Sequence, residues 1–294
     1  MALTELALHG TPALALQAAD GARVLVTLHG GHVVSWTPAG VHDDQLYLSP
    51  RSGFGPGQAI RGGVPVVFPQ FSDRGPLPRH GFVRNRAWQL LRCGDDADGA
   101  ATAVLGLVDD AATRAIWPHA FALELRLRLS GPQLDMTLHV TNTGSVPWQC
   151  AAALHTYLQV SDSARARIAG LAGRPYHDAV DGQARIQHET LLHLPGEVDR
   201  VYAGVDGGIE LSADGDAPAC CLQVSHAGFA DVVVWNPGPA RCAALPDMPP
   251  DGYRHMVCIE SARIAQPVVL APGQSWSGTQ QLRRLAADGS PAAG

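Results

Sequence analysis

The chain has 294 residues, 46% of them hydrophobic, with 21 basic and 27 acidic side chains and a formal charge of −6. Length and apolar content allow a large core in one or two domains. The acidic balance argues against nucleic-acid binding through a basic surface, and the absence of lysine excludes Schiff-base chemistry through a lysine side chain.

The first residues lack a positive segment followed by a long apolar run, and no stretch approaches the roughly 18 apolar residues of a membrane span. Six cysteines show no C-x-x-C spacing, and Cys220 and Cys221 are adjacent, which disfavours a disulfide between them. Reduced thiols and a cytoplasmic location are expected.

Taken in chain order, short strands are expected at 23–28, 32–36, 89–92 and 103–107. Residues 109–116, stopped by Trp117-Pro118, are the one segment that reads as a helix. Phe121, Leu123, Leu125, Leu127 and Leu129 then alternate with Ala122, Glu124, Arg126, Arg128 and Ser130. After the Gly131-Pro132 turn, Leu134, Met136, Leu138 and Val140 repeat the pattern, so residues 121–140 predict two half-buried antiparallel strands. Further strands are expected at 151–160, 219–224, 232–235, 255–259, 268–270 and 277–285. With 32 Gly and 22 Pro as turn punctuation, the reading is all-β: a large antiparallel sandwich forming one domain over 1–294, with 286–294 frayed.

Several constellations fail. Gly53-x-Gly55-x-Gly57 contains Pro56 and precedes no helix, so it is read as a plain loop and not a phosphate cradle. His29-Gly30-Gly31 lacks any partnering G-x-S-x-G elbow. Thirteen histidines include no H-x-x-x-H or H-E-x-x-H pattern, and neither metal nor cofactor is expected.

Four segments concentrate polar residues among apolar ones. Residues 59–71 and 77–85 bring Arg61, Arg79, His80 and Arg84 into one Gly/Pro-rich region. Guanidinium forks can grip phosphate oxygens there, or pair with surface carboxylates. On an alternating strand His155 shares a face with Ala153, Tyr157 and Gln159, either as a core histidine or as a proton carrier. Residues 197–202 place Asp199 in a site or in a solvated turn. Glu260 ends the apolar run 256–259, either at a solvated strand end or in a dry site where its pKa would rise toward that of a useful base.

These segments, in order, resemble the D-hexose-6-phosphate mutarotases (glucose-6-phosphate 1-epimerases), a branch of the aldose 1-epimerase superfamily. The matching stretches are Ile60-Arg61-Gly62-Gly63-Val64-Pro65, Phe68-Pro69-Gln70-Phe71, His80-Gly81-Phe82-Val83-Arg84-Asn85, Leu154-His155-Thr156-Tyr157, Val198-Asp199-Arg200-Val201-Tyr202, Val234-Trp235-Asn236-Pro237 and Met256-Val257-Cys258-Ile259-Glu260. The resemblance covers most of residues 25–280. It implies a galactose-mutarotase-like supersandwich and cofactor-free interconversion of the α and β anomers of a hexose 6-phosphate. His155 and Glu260 would be the acid and base flanking the anomeric bond. Arg61 and Arg84 would bind substrate, Asp199 would contact sugar hydroxyls, and His80 would line the pocket. Two departures bear on the substrate: Arg79 stands where the family commonly has Gln, and after Trp235-Asn236-Pro237, where the family usually has an aromatic residue and a nearby Lys, Gly238 follows and Arg241 would serve instead.

The expected partner is a small phosphosugar, the expected state a monomer, and neither nucleic acid nor membrane is involved. Which hexose phosphate is preferred stays open. The alternatives are an epimerase of unphosphorylated aldoses, a non-catalytic carbohydrate-binding or sensor protein on the same fold, and a glycosidase built on Glu260 and Asp199.

Overall fold

The alternation over 121–140 becomes two paired ten-residue strands, Phe121–Ser130 and Gln133–Asn142. All nine inward residues are at most 2% exposed, and each contributes roughly 1.5–3 kcal/mol by leaving water. In a computed structural model, in which residues 1–212 and 221–285 are described, the pair sits inside a nine-stranded antiparallel sheet. A second sheet has eight strands, and the first four strands of the chain, Ala2–Leu8, Thr11–Gln17, Arg23–Thr27 and His32–Thr37, form a third. One hydrophobic cluster draws residues from all three sheets, so the architecture is an antiparallel sandwich, as the sequence predicts.

Several elements differ from the expectation. Residues 255–259 and 268–270 belong to one long strand, Met256–Leu270. The expected strand over 151–160 is interrupted: Trp148–Leu154 ends, Tyr157–Gln159 resumes, and between them the N–H of His155 donates to the carbonyl of Pro65 at 3.0 Å. The helix is confined to Ala111–Ile116, capped by the Asp110 carboxylate, which accepts from the Thr113 N–H. A second helix, Gly238–Ala243, was not expected. Its Gly-Pro start reads as a turn, yet proline is tolerated in a first helical turn because its missing N–H has no intrahelical partner there. The tail at 286–294, Cys220 and the side chain of Cys221 lie outside the described residues. Among the described residues no helix is long and apolar enough to cross a membrane.

The eight-stranded sheet uses both faces. Along Met256–Leu270, Val257 and Ile259 enter the sandwich core, while Cys258 and Ala262 pack into separate clusters on the opposite face. In Asp231–Asn236, Val232 and Val234 go to the core while Val233 and Trp235 turn away. Period two thus hands every second residue of these central strands to a face where a pocket can form.

His32 bears on stability. It is fully buried, its Nε2–H donates to the Gly62 carbonyl at 2.7 Å, and its Nδ1 has no partner. Burial pushes its pKa from 6.5 down to about 3. The unfolded chain therefore binds a proton near pH 6.5 that the native state refuses, and stability falls as pH drops through that window. From pH 7 to pH 5 this residue alone should remove about 2 kcal/mol. Urea unfolding of wild type and His32→Gln at both pH values checks it, and equal losses in the two proteins would refute the assignment.

Candidate active site

Strand parity and register assemble the site. In Val198–Ala203, Val198 and Tyr202 join the sandwich core while Asp199 and Val201 face the other way. Register then aligns two ranks across neighbouring strands. Asp199 lies opposite Trp235, Trp235 opposite Cys258, and Cys258 opposite Tyr157; Val201 lies opposite Val233, and Val233 opposite Glu260. Over this floor opens a cavity of about 360 Å³ whose walls include Arg61, Arg74, Arg79, His80, Arg84 and Arg241.

His155 and Glu260 meet at the bottom. The imidazole Nε2 stands 3.4 Å from Glu260 Oε1, and the two residues are 7% and 1% exposed. Glu260 therefore occupies a dry site within its strand and not a solvated end. Neither its second oxygen nor Nδ1 of His155 has a hydrogen-bond partner. The His155 ring is stacked on Tyr157 at 4.9 Å and lies edge-on to Trp235 and His80. Burial drives the Glu260 carboxyl well above its usual range, with the Asp199 charge adding to the rise and Arg84 opposing it. Burial also drives His155 well below its usual value, and His80, Arg84 and Arg61 push the same way. Both shifts favour a pair without net charge, in which one proton serves two groups.

His80 reaches the cavity through a left-handed backbone, φ 62°, followed by Gly81 at φ 72°. A Cβ on Gly81 would fall 1.9 Å from the Phe68 carbonyl oxygen, so only glycine fits. The N–H of Ser72 donates to His80 Nδ1 at 3.4 Å, and burial, with nearby Arg84, Arg79 and Arg61, lowers the His80 pKa to about 3. His80 is thus a neutral imidazole.

The arginines are not equivalent. Arg61 donates to the Tyr157 hydroxyl at 3.0 Å and pairs with Asp247 at 3.1 Å. Arg79 pairs with Asp73 at 2.5 Å and Arg241 with Glu197 at 2.8 Å. Arg84 donates to the Arg79 carbonyl at 3.1 Å, its Nε is buried without a partner, and among the described residues no carboxylate pairs with it. Burial lowers the Arg84 pKa, as do the charges of Arg61 and Arg79. Asp199 lines the same cavity, its pKa raised by burial and restrained by Arg241 and Arg79.

All seven residues singled out from the sequence therefore border one cavity, together with Arg241. Three others escaped the sequence. Asp247 holds Arg61 from a distant loop. Cys258 lies beside His155 and Glu260, the ligand atoms of all three falling within 4.8 Å of one another. Gln280, on Ser275–Leu285 of the opposite sheet, accepts from the Thr156 hydroxyl and donates to the Ile259 carbonyl at 3.2 Å and to Ser261 Oγ at 2.9 Å. It thus binds the immediate neighbours of both His155 and Glu260. A single polar residue at a core position of its strand was the available signal.

The sequence matches the family described as aldose 1-epimerase over residues 12–283. The chain belongs to the aldose 1-epimerase family. It is accordingly an isomerase. It is 34% identical over 278 residues to a protein of Cenchrus ciliaris that carries the provisional name glucose-6-phosphate 1-epimerase, covering 92% of this chain and 83% of that one. A protein of Escherichia coli K12 with the same provisional name is 36% identical over 238 residues, 80% of this chain and 78% of its own. The crystal structure of a provisionally described mutarotase from Salmonella typhimurium superposes with a TM-score of 0.87 at 29% identity, covering 96% of this chain and 93% of that one.

Because its folded pKa lies above the ordinary 4.5, Glu260 contributes stability below that value and loses it as pH rises through the folded pKa. Glu260→Gln removes this loss. The variant should be more stable than wild type at pH 7, by on the order of 1 kcal/mol, with the gain shrinking toward pH 4.5. Thermal melts across that range measure it, and a variant less stable at pH 7 would contradict the direction.

Proposed function

We propose that this epimerase interconverts the α and β anomers of a hexose 6-phosphate, with Glu260 and His155 exchanging one proton through the sugar. The observation that carries the reading is the buried contact between these two groups at the foot of an arginine-walled cavity. The two oxygens whose protons must move, the anomeric hydroxyl and the ring oxygen, are bonded to the same carbon. A base and an acid serving them must therefore be neighbours. They do not flank the bond from opposite walls.

The cycle starts with Glu260 ionised and His155 protonated. Glu260 takes the proton of the anomeric hydroxyl while His155 delivers one to the ring oxygen, the C1–O5 bond breaks, and an aldehyde forms. The pair is now a carboxylic acid and a neutral imidazole, the form that burial favours, so the dry floor stabilises the state in which the sugar is open. Rotation about C1–C2 presents the other carbonyl face. Ring closure returns the hydroxyl proton to His155 while Glu260 protonates the carbonyl oxygen. Each group acting as acid or base supplies roughly 10²–10⁴-fold, and holding both against one carbon adds an orientation contribution. Asp199 faces the ring hydroxyls as an acceptor.

The phosphate is assigned to Arg84, aided by Arg61 and Arg79. Arg84 carries an uncompensated charge and a free buried N–H, and a charge-assisted hydrogen bond to phosphate is worth about 1.5–3 kcal/mol. One observation favours the unphosphorylated-sugar alternative: Arg61, Arg79 and Arg241 each already have a carboxylate partner.

Exchange NMR between anomers decides both points. Glu260→Gln and His155→Ala should each slow anomerisation of glucose 6-phosphate at least about 100-fold; near wild-type rates in both would remove the assignment. Arg84→Ala should raise KM for glucose 6-phosphate roughly 10- to 100-fold and leave free glucose little changed. Equal losses on the two sugars would favour the unphosphorylated substrate.

A further inference from the structure

We propose that His155, Cys258 and Glu260 form a binding site for a soft divalent cation, Zn²⁺ or Cd²⁺, and that its occupancy arrests the enzyme. An imidazole, a thiol and a carboxylate are three of the donors zinc takes, and their ligand atoms lie within 4.8 Å of one another. In a tetrahedral site with Zn–N and Zn–O near 2.0–2.1 Å the two donors stand about 3.3 Å apart. The separation of His155 Nε2 and Glu260 Oε1 is 3.4 Å. The Cys258 sulfur lies within 4.8 Å of both ligand atoms, and tetrahedral closure with Zn–S near 2.3 Å would bring it to about 3.6 Å from each. The second Glu260 oxygen, buried without a partner, gives the carboxylate freedom to turn toward a metal.

The ion enters from the cavity, which His155 and Glu260 line, while Cys258, fully buried, waits behind them. Three protein ligands leave the fourth position open toward the cavity for water. A metal takes the cysteine as thiolate and the glutamate as carboxylate, so the two charges of M²⁺ are matched by two anionic ligands while the imidazole adds none. Mg²⁺ and Ca²⁺, which require six or more oxygen ligands, have no such set here.

Arrest of turnover rests on the acid–base roles proposed above; binding of the metal does not. The two are separated by using Cd²⁺ as a spectroscopic probe and Zn²⁺ as an inhibitor, on protein with Cys93, Cys220 and Cys221 replaced by serine. Cd²⁺ titration should give a thiolate-to-metal ultraviolet band saturating at one equivalent, unaffected by excess Mg²⁺. The band should vanish in Cys258→Ser and Cys258→Ala and weaken in Glu260→Gln. Its absence from the parent overturns the site without recourse to any variant, and its persistence in either Cys258 variant does so as well. One equivalent of Zn²⁺ should lower anomerisation of glucose 6-phosphate at least tenfold in the parent, with Cys258→Ser keeping its activity in the same Zn²⁺. A saturated band with undiminished turnover overturns the inhibition and the acid–base assignment together.

Discussion

A carboxyl and an imidazole buried against each other, with almost no other polar partner, set the terms for everything around them. An isolated charge taken from water into a protein interior costs several kcal/mol even after relaxation. Glu260 and His155 escape most of that penalty by remaining neutral as a pair. The same neutrality makes them a proton store: moving one proton between them changes which group is acid and which is base without changing the charge of the floor. Chemistry that begins and ends with equal proton counts on enzyme and sugar suits such a pair.

The pair needs a rigid support, because a shift of an ångström in either group would separate donor from acceptor. The support comes from behind the site. Gln280 crosses from the opposite sheet and satisfies Thr156, Ile259 and Ser261 at once. His155 follows directly on the end of a strand, at a break whose backbone is held by Pro65 on one side and by the Ile259 N–H, which donates to the Thr156 carbonyl, on the other. Glu260 sits within an unbroken strand whose neighbours Val257 and Ile259 are locked in the core. A polar network of this kind is stable only when every member is satisfied. Within the pair itself, Nδ1 of His155 and the second oxygen of Glu260 are the atoms left unpaired.

The alternation of Phe121 to Val140 disclosed the sandwich because one face of each strand is wholly apolar and the other polar. Strands at 23–28 and 32–36 were legible, but Ala2–Leu8 escaped because it is an edge strand exposed on nearly every residue, so burial imposed no clear period on it. The seven residues that line the cavity were singled out because local segments concentrate arginine, histidine and acid among apolar neighbours, and a family resemblance ordered those segments. Their convergence was not legible. Trp235 and Cys258 face each other only because Asp231–Asn236 pairs with Met256–Leu270 in one register, and register across distant strands is decided by the tertiary fold. The dryness of Glu260 was hidden for the same reason, since a carboxylate closing an apolar run reads alike at a solvated end and in a buried centre. Gln280 shows the limit most plainly: its hydrogen bonds run to the other sheet.

The distribution of charge around the cavity follows from these constraints. The molecule as a whole is acidic, yet five arginines converge on one cavity. Left unpaired, five cations would hold His155 deprotonated and depress Glu260, and the proton store would fail. Asp247, Asp73 and Glu197 each neutralise one of them at the rim, where solvent keeps the penalty of an ion pair small. Arg74 and Arg84 are left without such a partner among the described residues, and of the two it is Arg84 whose charge reaches both His155 and Glu260. An anionic group delivered to Arg84 would relieve two strains at once. It would satisfy a buried cation, and it would weaken the positive field that opposes protonation of His155. On the proposed reading, binding of the phosphate and preparation of the proton pair would be one electrostatic event.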